Sequence, residues 1–283
     1  MIARIDVRPA RADDKDGVLA FCQNTFSWGD YVPAVWDRWL ADADGQMLVG
    51  VIDQQPVALI HLAFIDEGVA WLEGMRVHPD FRRQGVGSAV DQAARTFARA
   101  RGSRVARLAT SVKNIAAQKT LAKESYTCVA RYNEWQAKPA RRQFSATRRA
   151  TLNDADRVLE MWHASSTRAA SMLLPDRHWH WTELSRSRLI DQISAGEVKM
   201  VDGGFALLLA YDEHDWSGTN LHAMVGAEQS MFTLALAARG ETAYRGYPQL
   251  VAMLIDYPPV NAALERAGFR REGGMFIYEQ VLR

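Results

Sequence analysis

Hydrophobic and polar positions alternate with two distinct periods along this chain, and the two periods interleave. The first half opens with a strand at Val7 and a helix over Asp14 to Asn24. A second helix covers Ala34 to Ala41, where Val35, Trp36, Trp39 and Leu40 gather on one side. Three strands are predicted over Met47 to Ile52, Pro56 to Ile65 and Val69 to Val77. Turn residues part them at Asp53-Gln54-Gln55 and Asp66-Glu67-Gly68. A helix follows over Gly87 to Arg101, stopped by Gly102, then a strand over Val105 to Ser111, a helix over Ile115 to Lys123 and a strand over Tyr126 to Trp135. Hairpin-linked strands followed by a strand–helix–strand crossover predict an α/β fold with a mixed sheet flanked by helices.

The second half repeats the plan more faintly. Helices are predicted over Asp154 to His163, Trp181 to Ile193, Ser230 to Arg239 and Val260 to Ala267. Strands are predicted over Val198 to Val201, Phe205 to Tyr211, Leu221 to Val225, Leu250 to Ile255 and Met275 to Leu282. Arg8, Ala10, Asp14, Asp16, Val18 and Leu19 recur 140 positions on as Arg148, Ala150, Asp154, Asp156, Val158 and Leu159. Leu121 to Tyr126 likewise resembles Leu264 to Phe269. Two domains are expected, 1–140 and 145–283, parted by a basic stretch that holds Lys138, Arg141, Arg142, Arg148 and Arg149. That stretch reads either as a solvated linker or as a contact for phosphates.

Composition narrows the class. The 283 residues are 48% hydrophobic and 24% charged, which excludes a disordered chain. Lys+Arg 34 against Asp+Glu 33 leaves a net charge of +1, so no global charge marks a nucleic-acid or membrane-surface binder. Two cysteines, Cys22 and Cys128, make neither a disulfide framework nor a four-cysteine zinc site, and buried free thiols are expected. The start of the chain has no apolar signal segment and the longest apolar run, Phe205 to Tyr211, is far too short to span a bilayer. A cytoplasmic protein with no membrane partner is the expectation.

The sharpest chemical signal is Arg82-Arg83-Gln84-Gly85-Val86-Gly87-Ser88. It follows a strand and the turn His78-Pro79, and it runs into a helix. A glycine-bearing helix entry aims several backbone N–H groups at one point, adds the helix dipole and suits a pyrophosphate. The alternative is an ordinary helix entry with two basic surface residues. From Val77 to Gly87 the chain resembles the acetyl-CoA-binding motif of the GNAT N-acetyltransferase superfamily, with Arg82, Gly85 and Gly87 filling its pattern. The repeat extends the resemblance to a tandem arrangement with a degenerate second copy, since Gly226 to Met231 lacks the phosphate loop.

The resemblance implies acetyl-CoA as cosubstrate and no metal. It implies that the Val77 backbone meets the pantetheine arm, that Arg83 to Ser88 hold the pyrophosphate, and that Asn114 touches the cofactor arm; Asn114 is equally suited to cap the following helix. Direct attack of an amine on the thioester needs a base, and Glu73 is the candidate, on one strand face with Trp71 and Met75. The other reading of Glu73 is a solvent-face residue or a partner of Arg76. Gly74 beside it reads as a bulge. The family's usual tyrosine acid is replaced by Leu121, and Tyr126 reads as a packing residue. Neither cysteine has a motif for covalent catalysis.

The acceptor site is expected from Asn24 to Trp36, with Trp28, Asp30, Tyr31 and Trp36 supplying aromatic walls and one carboxylate for a small-molecule or amino-acid amine. Trp28 and Trp36 could instead pack the helices. His178-Trp179-His180-Trp181 is too sparse for zinc, and Asp212, His214 and Asp215 read as a polar hairpin loop. Two other functions stay open. Leu121 motivates a non-catalytic acyl-CoA sensor. Arg95, Arg99, Arg101, Arg104, Arg107 and the linker arginines motivate an RNA-binding or RNA-modifying protein, which the near-neutral charge disfavours.

Overall fold

The computed structural model describes residues 5–23, 25, 29–140, 147–213 and 216–283. The elements in chain order are β1 (Asp6–Pro9), α1 (Lys15–Cys22), α2 (Val32–Leu40), β2 (Gly45–Ile52), β3 (Gln55–Asp66), β4 (Val69–Val77), α3 (Val86–Ala100), β5 (Val105–Ser111), α4 (Ile115–Lys123) and β6 (Thr127–Ala137). They continue as β7 (Arg148–Arg149), α5 (Ala155–Ala164), α6 (Ser166–Ala170), β8 (Leu173–Pro175), β9 (Trp181–Glu183), α7 (Arg186–Ser194), β10 (Val198–Val201) and β11 (Gly204–Glu213). The last are β12 (Trp216–Val225), α8 (Glu228–Tyr244), β13 (Leu250–Ile255), α9 (Pro258–Arg266) and β14 (Arg270–Val281). The α/β class with mixed pairing is as expected. The run Trp181 to Ile193 is not one helix: it divides into β9 and α7, because Ser185 takes up the N-cap position and accepts a hydrogen bond from the Arg188 amide.

The chain divides into two compact units. One holds residues 1–109, 116–127 and 278–283; the other holds 110–115 and 128–277. This differs from a single cut near residue 140. The division falls at Thr127/Cys128, and the end of each half is traded. β6 closes the first repeat in sequence but pairs antiparallel with β13 of the second unit, Leu250 opposite Ala137 through Ile255 opposite Tyr132. The C-terminal residues return to the first unit, where Arg107 pairs with Glu279 and the Leu282 amide bonds the Arg104 carbonyl.

In the first unit the sheet runs β1-β2-β3-β4-β5. The strands β1 to β4 are antiparallel neighbours, and β4 and β5 are parallel. The hairpin between β2 and β3 turns on Asp53 and Gln54, both at positive φ, the conformation a two-residue turn demands. Helices α1 and α2 cover one sheet face, with Val18, Phe21, Cys22, Val32, Trp36, Trp39, Met47, Val49 and Leu59 in one core cluster. In the second unit the order is β6-β13-β12-β11-β10-β7. Trp162, Leu189, Phe205 and Ala223 form one core there, and Met231, Leu234, Leu254, Val260 and Leu264 another.

The sequence repeat recurs bond for bond. Arg8 makes a two-pronged ion pair with Asp14, both contacts 2.8 Å, and Asp14 accepts the Arg11 amide at 2.7 Å. Arg148 does the same with Asp154 at 2.8 and 2.6 Å, and Asp154 accepts the Thr151 amide at 2.8 Å. At the far ends, the Tyr126 amide bonds the Leu121 carbonyl and the Phe269 amide bonds the Leu264 carbonyl, both at 3.0 Å. Arg148 and Arg149 of the basic stretch are therefore spent on Asp154 and Glu241; Arg141 and Arg142 lie outside the described residues. Cys22 is buried as expected. Cys128 is exposed, because β6 turns that position outward.

Candidate functional site

The loop after β4 is built to end one strand and start one helix. The His78 ring accepts the Asp80 amide at 3.2 Å, Gln84 donates to the Asp80 carbonyl at 2.7 Å, and the Arg82 guanidinium donates to the Val77 carbonyl at 3.0 Å. Arg83 sits at φ +61 and Gly85, the N-cap of α3, at φ +84. A Cβ on Gly85 would meet nothing within 4 Å, so open space faces the helix start. The first hydrogen bond of α3 runs from the Ala89 amide to the Gly85 carbonyl. The amides of Val86, Gly87 and Ser88 precede it and point out of the helix end. Arg82, Arg83, Gln84 and Gly85 are exposed, and the Val86 side chain is buried beneath them. Gly87 is ordinary helix, with Val77 at 3.7 Å from its would-be Cβ. Only Gly85 of the pair needs glycine for its backbone.

β4 and β5 pair through only three residues, Val69 with Val105, Ala70 with Ala106 and Trp71 with Arg107. Beyond Trp71 the two strands part, and the stretch of β4 from Leu72 to Val77 no longer shares hydrogen bonds with β5. Gly74 stands in this stretch at φ +67. Glu73 is opposite His61, and Arg76 is opposite Leu59, so the two residues between, Gly74 and Met75, bulge against Ile60. The bulge corrects the expected face. Leu59 and His61 point to the α1–α2 side, hence Glu73 and Arg76 share that side with Trp71, and Met75 does not.

Glu73 is 19% exposed and accepts from His61 Nδ1 at 2.9 Å. Arg76 grips Asp30 with two hydrogen bonds, 2.7 and 3.0 Å, and donates to the Met75 carbonyl. The Asp30 carboxylate is fully buried, also accepts the Val32 amide, and is held below the usual carboxylate range by the bonds from Arg76, Thr25 and Val32, which outweigh desolvation. Asp30 is therefore not the free carboxylate expected for an amine. Tyr31 lies 5.0 Å from the Arg76 guanidinium and edge-on to Trp39, and desolvation raises its pKa. Trp36 is completely buried among α1, α2 and β2, so it is core and no acceptor wall. Trp28 lies outside the described residues. Trp39 belongs to the same buried cluster; it stacks on His61 and would meet a Cβ at Gly74 at 2.6 Å. His61, Asp42 and Trp39 were missed in sequence because only strand register brings them to Glu73.

Asn114 is exposed just before α4, its amide bonded to the Ser111 carbonyl at 2.9 Å. It groups with the second unit. Leu121 is buried. Tyr126 is buried too, donates to Asp91 at 2.9 Å, and desolvation raises its pKa. Burial pushes the Cys22 thiol up to about 12, far from a nucleophile's range. Among the described residues no cluster of three or more metal-ligating side chains occurs, and no helix is long and apolar enough to cross a membrane. Several arginines that could read as a nucleic-acid surface are engaged: Arg95 with Asp91 and Glu124, Arg107 with Glu279, and Arg99 with the Arg283 carbonyl.

The second unit has the same parting strands without the same chemistry. β12 and β13 are parallel over Thr219–Leu250, Asn220–Val251 and Leu221–Ala252. Counting from the first pair, Ala223 falls where Glu73 stands, and it faces Leu207 where Glu73 faces His61. The N-cap of α8 is Ala227, not a glycine, and its φ of −64° is extended backbone where Gly85 is left-handed. Glu228 in the first turn of α8 adds negative charge there and pairs with Arg266 at 3.0 Å.

The acetyltransferase (GNAT) family model matches residues 18–125. A histidine N-acetyltransferase from Oreochromis niloticus is 32% identical over 78 residues, which cover 27% of this chain and 23% of that protein. Among solved structures, a GCN5-related N-acetyltransferase from Sphaerobacter thermophilus superposes with a TM-score of 0.68 at 13% identity, over 99% of this chain and 96% of that one. A tandem GNAT protein from the clavulanic acid biosynthesis pathway superposes with a TM-score of 0.61 at 15% identity, over 99% of both chains. At these identities the structures establish the fold.

Proposed function

We propose, for a chain whose residues 18–125 form an acetyltransferase (GNAT) family domain, that the first unit transfers the acetyl group of acetyl-CoA to a small-molecule or amino-acid amine. The observation that carries this is the open, left-handed Gly85 entry to α3 at the end of the strand that bears Glu73. The residues fit the cosubstrate. The outward amides of Val86, Gly87 and Ser88, the helix dipole and the exposed Arg82 and Arg83 suit a pyrophosphate. The edge of β4 that parts from β5 offers backbone groups to a pantetheine arm near Val77. Asn114 remains a candidate for the same arm.

Glu73 is the base. An ammonium proton passes to its carboxylate, and the freed nitrogen lone pair attacks the thioester carbonyl carbon. The tetrahedral intermediate collapses, the C–S bond breaks with its electrons on sulfur, the second proton of the nitrogen passes to the thiolate directly or through water, and Glu73 returns its proton to solvent. Leu121 has no proton to give and Tyr126 is committed to Asp91. A thiol of ordinary pKa, about 8.5, leaves tolerably without an acid. The acceptor would lie on the α1–α2 side against Tyr31 and Arg76. Asp30 contributes by holding Arg76. The second unit is read as a degenerate copy, because Ala223 replaces the base and the start of α8 carries Glu228 in its first turn with no left-handed glycine at its N-cap.

Calorimetric titration of the full chain with acetyl-CoA tests binding, and thiol release over a panel of free amino acids, L-histidine included, and small amines tests turnover. One site per chain is expected, with Glu73→Gln lowering kcat by roughly 10²- to 10⁴-fold and leaving acetyl-CoA affinity within about twofold. Two sites would refute the degenerate second unit. Binding with no turnover on any amine would favour the acyl-CoA sensor, for which the buried Leu121 is the supporting observation.

A further inference from the structure

Glu73 does not stand alone on its strand. His61, directly opposite it in the β3–β4 register, is only 1% exposed, and its ring lies parallel to Trp39 with centroids 4.6 Å apart. Nδ1 is 2.9 Å from Glu73 Oε1. Nε2 is buried and lies 3.3 Å from Asp42 Oδ2, off the hydrogen-bond line. Asp42 belongs to the turn after α2, where its other oxygen accepts the Asp44 amide at 3.0 Å. A Cβ at Gly45 would run into Asp42 Oδ2 and the Leu62 carbonyl, so the chain gives up a side chain at Gly45 to seat this carboxylate. The neighbouring charges are Arg76 from β4, tied to Asp30 from the turn before α2, and the Tyr31 hydroxyl.

An imidazole this deep in a sheet is costly unless its nitrogens are engaged, and an apolar side chain would fill the space without that cost. In the second unit the equivalent position is indeed apolar, Leu207, and it faces Ala223 where no base stands. The polar pair is kept or lost together. An ionised carboxylate only accepts hydrogen bonds, so Nδ1 must carry the proton it shares with Oε1. A base whose partner is itself oriented by a third group is the arrangement that fixes a reactive side chain in one rotamer.

We infer that His61 is a positioning residue for Glu73: its Nδ1–H fixes the carboxylate on the α1–α2 side, and the stack on Trp39 fixes the plane of the imidazole. This rests on the reading of Glu73 as the base. Two measurements on the full chain test it. Long-range proton–nitrogen spectra of the labelled protein, with the His61 signals assigned by their loss in His61→Asn, should show Nδ1 protonated, and Glu73→Leu, which removes the acceptor, should move the proton to Nε2, where Asp42 Oδ2 can accept it. An unprotonated Nδ1 in the wild type, or no change in Glu73→Leu, overturns the inference.

Steady-state kinetics use acetyl-CoA with L-histidine, or the best amine of the panel. His61→Leu should lower kcat by roughly 10- to 100-fold with the KM for acetyl-CoA within about twofold, as is typical when an orienting partner is removed. His61→Asn, whose amide nitrogen can replace Nδ1, should restore most of kcat. Unchanged kcat in His61→Leu, with turnover lost in Glu73→Gln, overturns the positioning role and leaves the base standing. Unchanged kcat in Glu73→Gln refutes the base itself, and the spectra then report the array alone.

Discussion

Gly85→Ala separates a backbone requirement from a ligand requirement. At φ +84 an alanine is in the left-handed region, which costs about 1–2 kcal/mol for an L-residue. The loss is offset by about 0.5–1 kcal/mol because alanine restricts the unfolded chain more than glycine does. No atom lies within 4 Å of the new Cβ, so no clash is added. The net loss of stability is therefore about 1 kcal/mol, a shift of roughly 2–4 °C in Tm for a chain of this size. Binding should suffer more. The methyl enters the open space at the start of α3, where the pyrophosphate would approach the Val86 to Ser88 amides. Losing one charge-assisted hydrogen bond, about 1.5–3 kcal/mol, weakens acetyl-CoA by roughly 10- to 100-fold. Gly102→Ala is the control. It has φ +90, nothing within 4 Å of its Cβ, and lies just past the other end of the same helix. It should cost the same stability and no affinity. Thermal melts and calorimetric titration of both variants read the two quantities. Equal affinities for Gly85→Ala and Gly102→Ala, whatever their melts, would refute the assignment of the α3 entry to phosphate.

Three further outcomes are expected. Glu241 in the second unit is held at about 2, against the pull of desolvation, by its bonds to Lys199, Arg245 and Arg149. A depressed carboxylate stabilises the fold above its unfolded value of about 4.5 and loses that contribution as pH falls toward 2. Denaturant melts of Glu241→Gln should thus show a deficit of a few kcal/mol at pH 7 that disappears near pH 2. His222 is fully buried and desolvation lowers it to about 4, so the unfolded chain takes up a proton there before the folded one does. Stability should fall as pH drops from about 6.5 to 4, by up to about 3 kcal/mol, and His222→Phe should flatten that slope in acid melts. Ser125 occupies, at φ +62, the position that Gly268 fills at φ +81 in the second repeat; Ser125→Gly should raise Tm by a degree or more, and a lower Tm would contradict strain at that turn.

The local elements were legible because each depends on neighbours in sequence. β4, β5, α4, β10 and β13 match the hydropathy pattern residue for residue, as does the Asp-rich turn that recurs 140 residues on. The glycine entry to α3 was legible for the same reason: Gly85 and the helix it opens are adjacent. The split of Trp181 to Ile193 was not, since its apolar residues fit a helix until the Ser185 cap is weighed.

What the chain alone determined is therefore the α/β class, the two repeats, and a base candidate on the strand before a glycine-bearing helix entry. Tertiary structure decided the partners. Strand register placed His61 against Glu73, and the bulge at Gly74 turned Arg76 to the same side, which moved Asp30 from a free carboxylate to the counter-ion of Arg76. Trp36 and Trp39, three residues apart on one helix, both joined the core, and Trp39 alone also backs His61 and Gly74. Pairing also decided which unit each terminal strand joins, since a strand end serves whichever edge offers it hydrogen bonds. These are long-range choices made by packing and by the satisfaction of buried polar groups, and no local period encodes them.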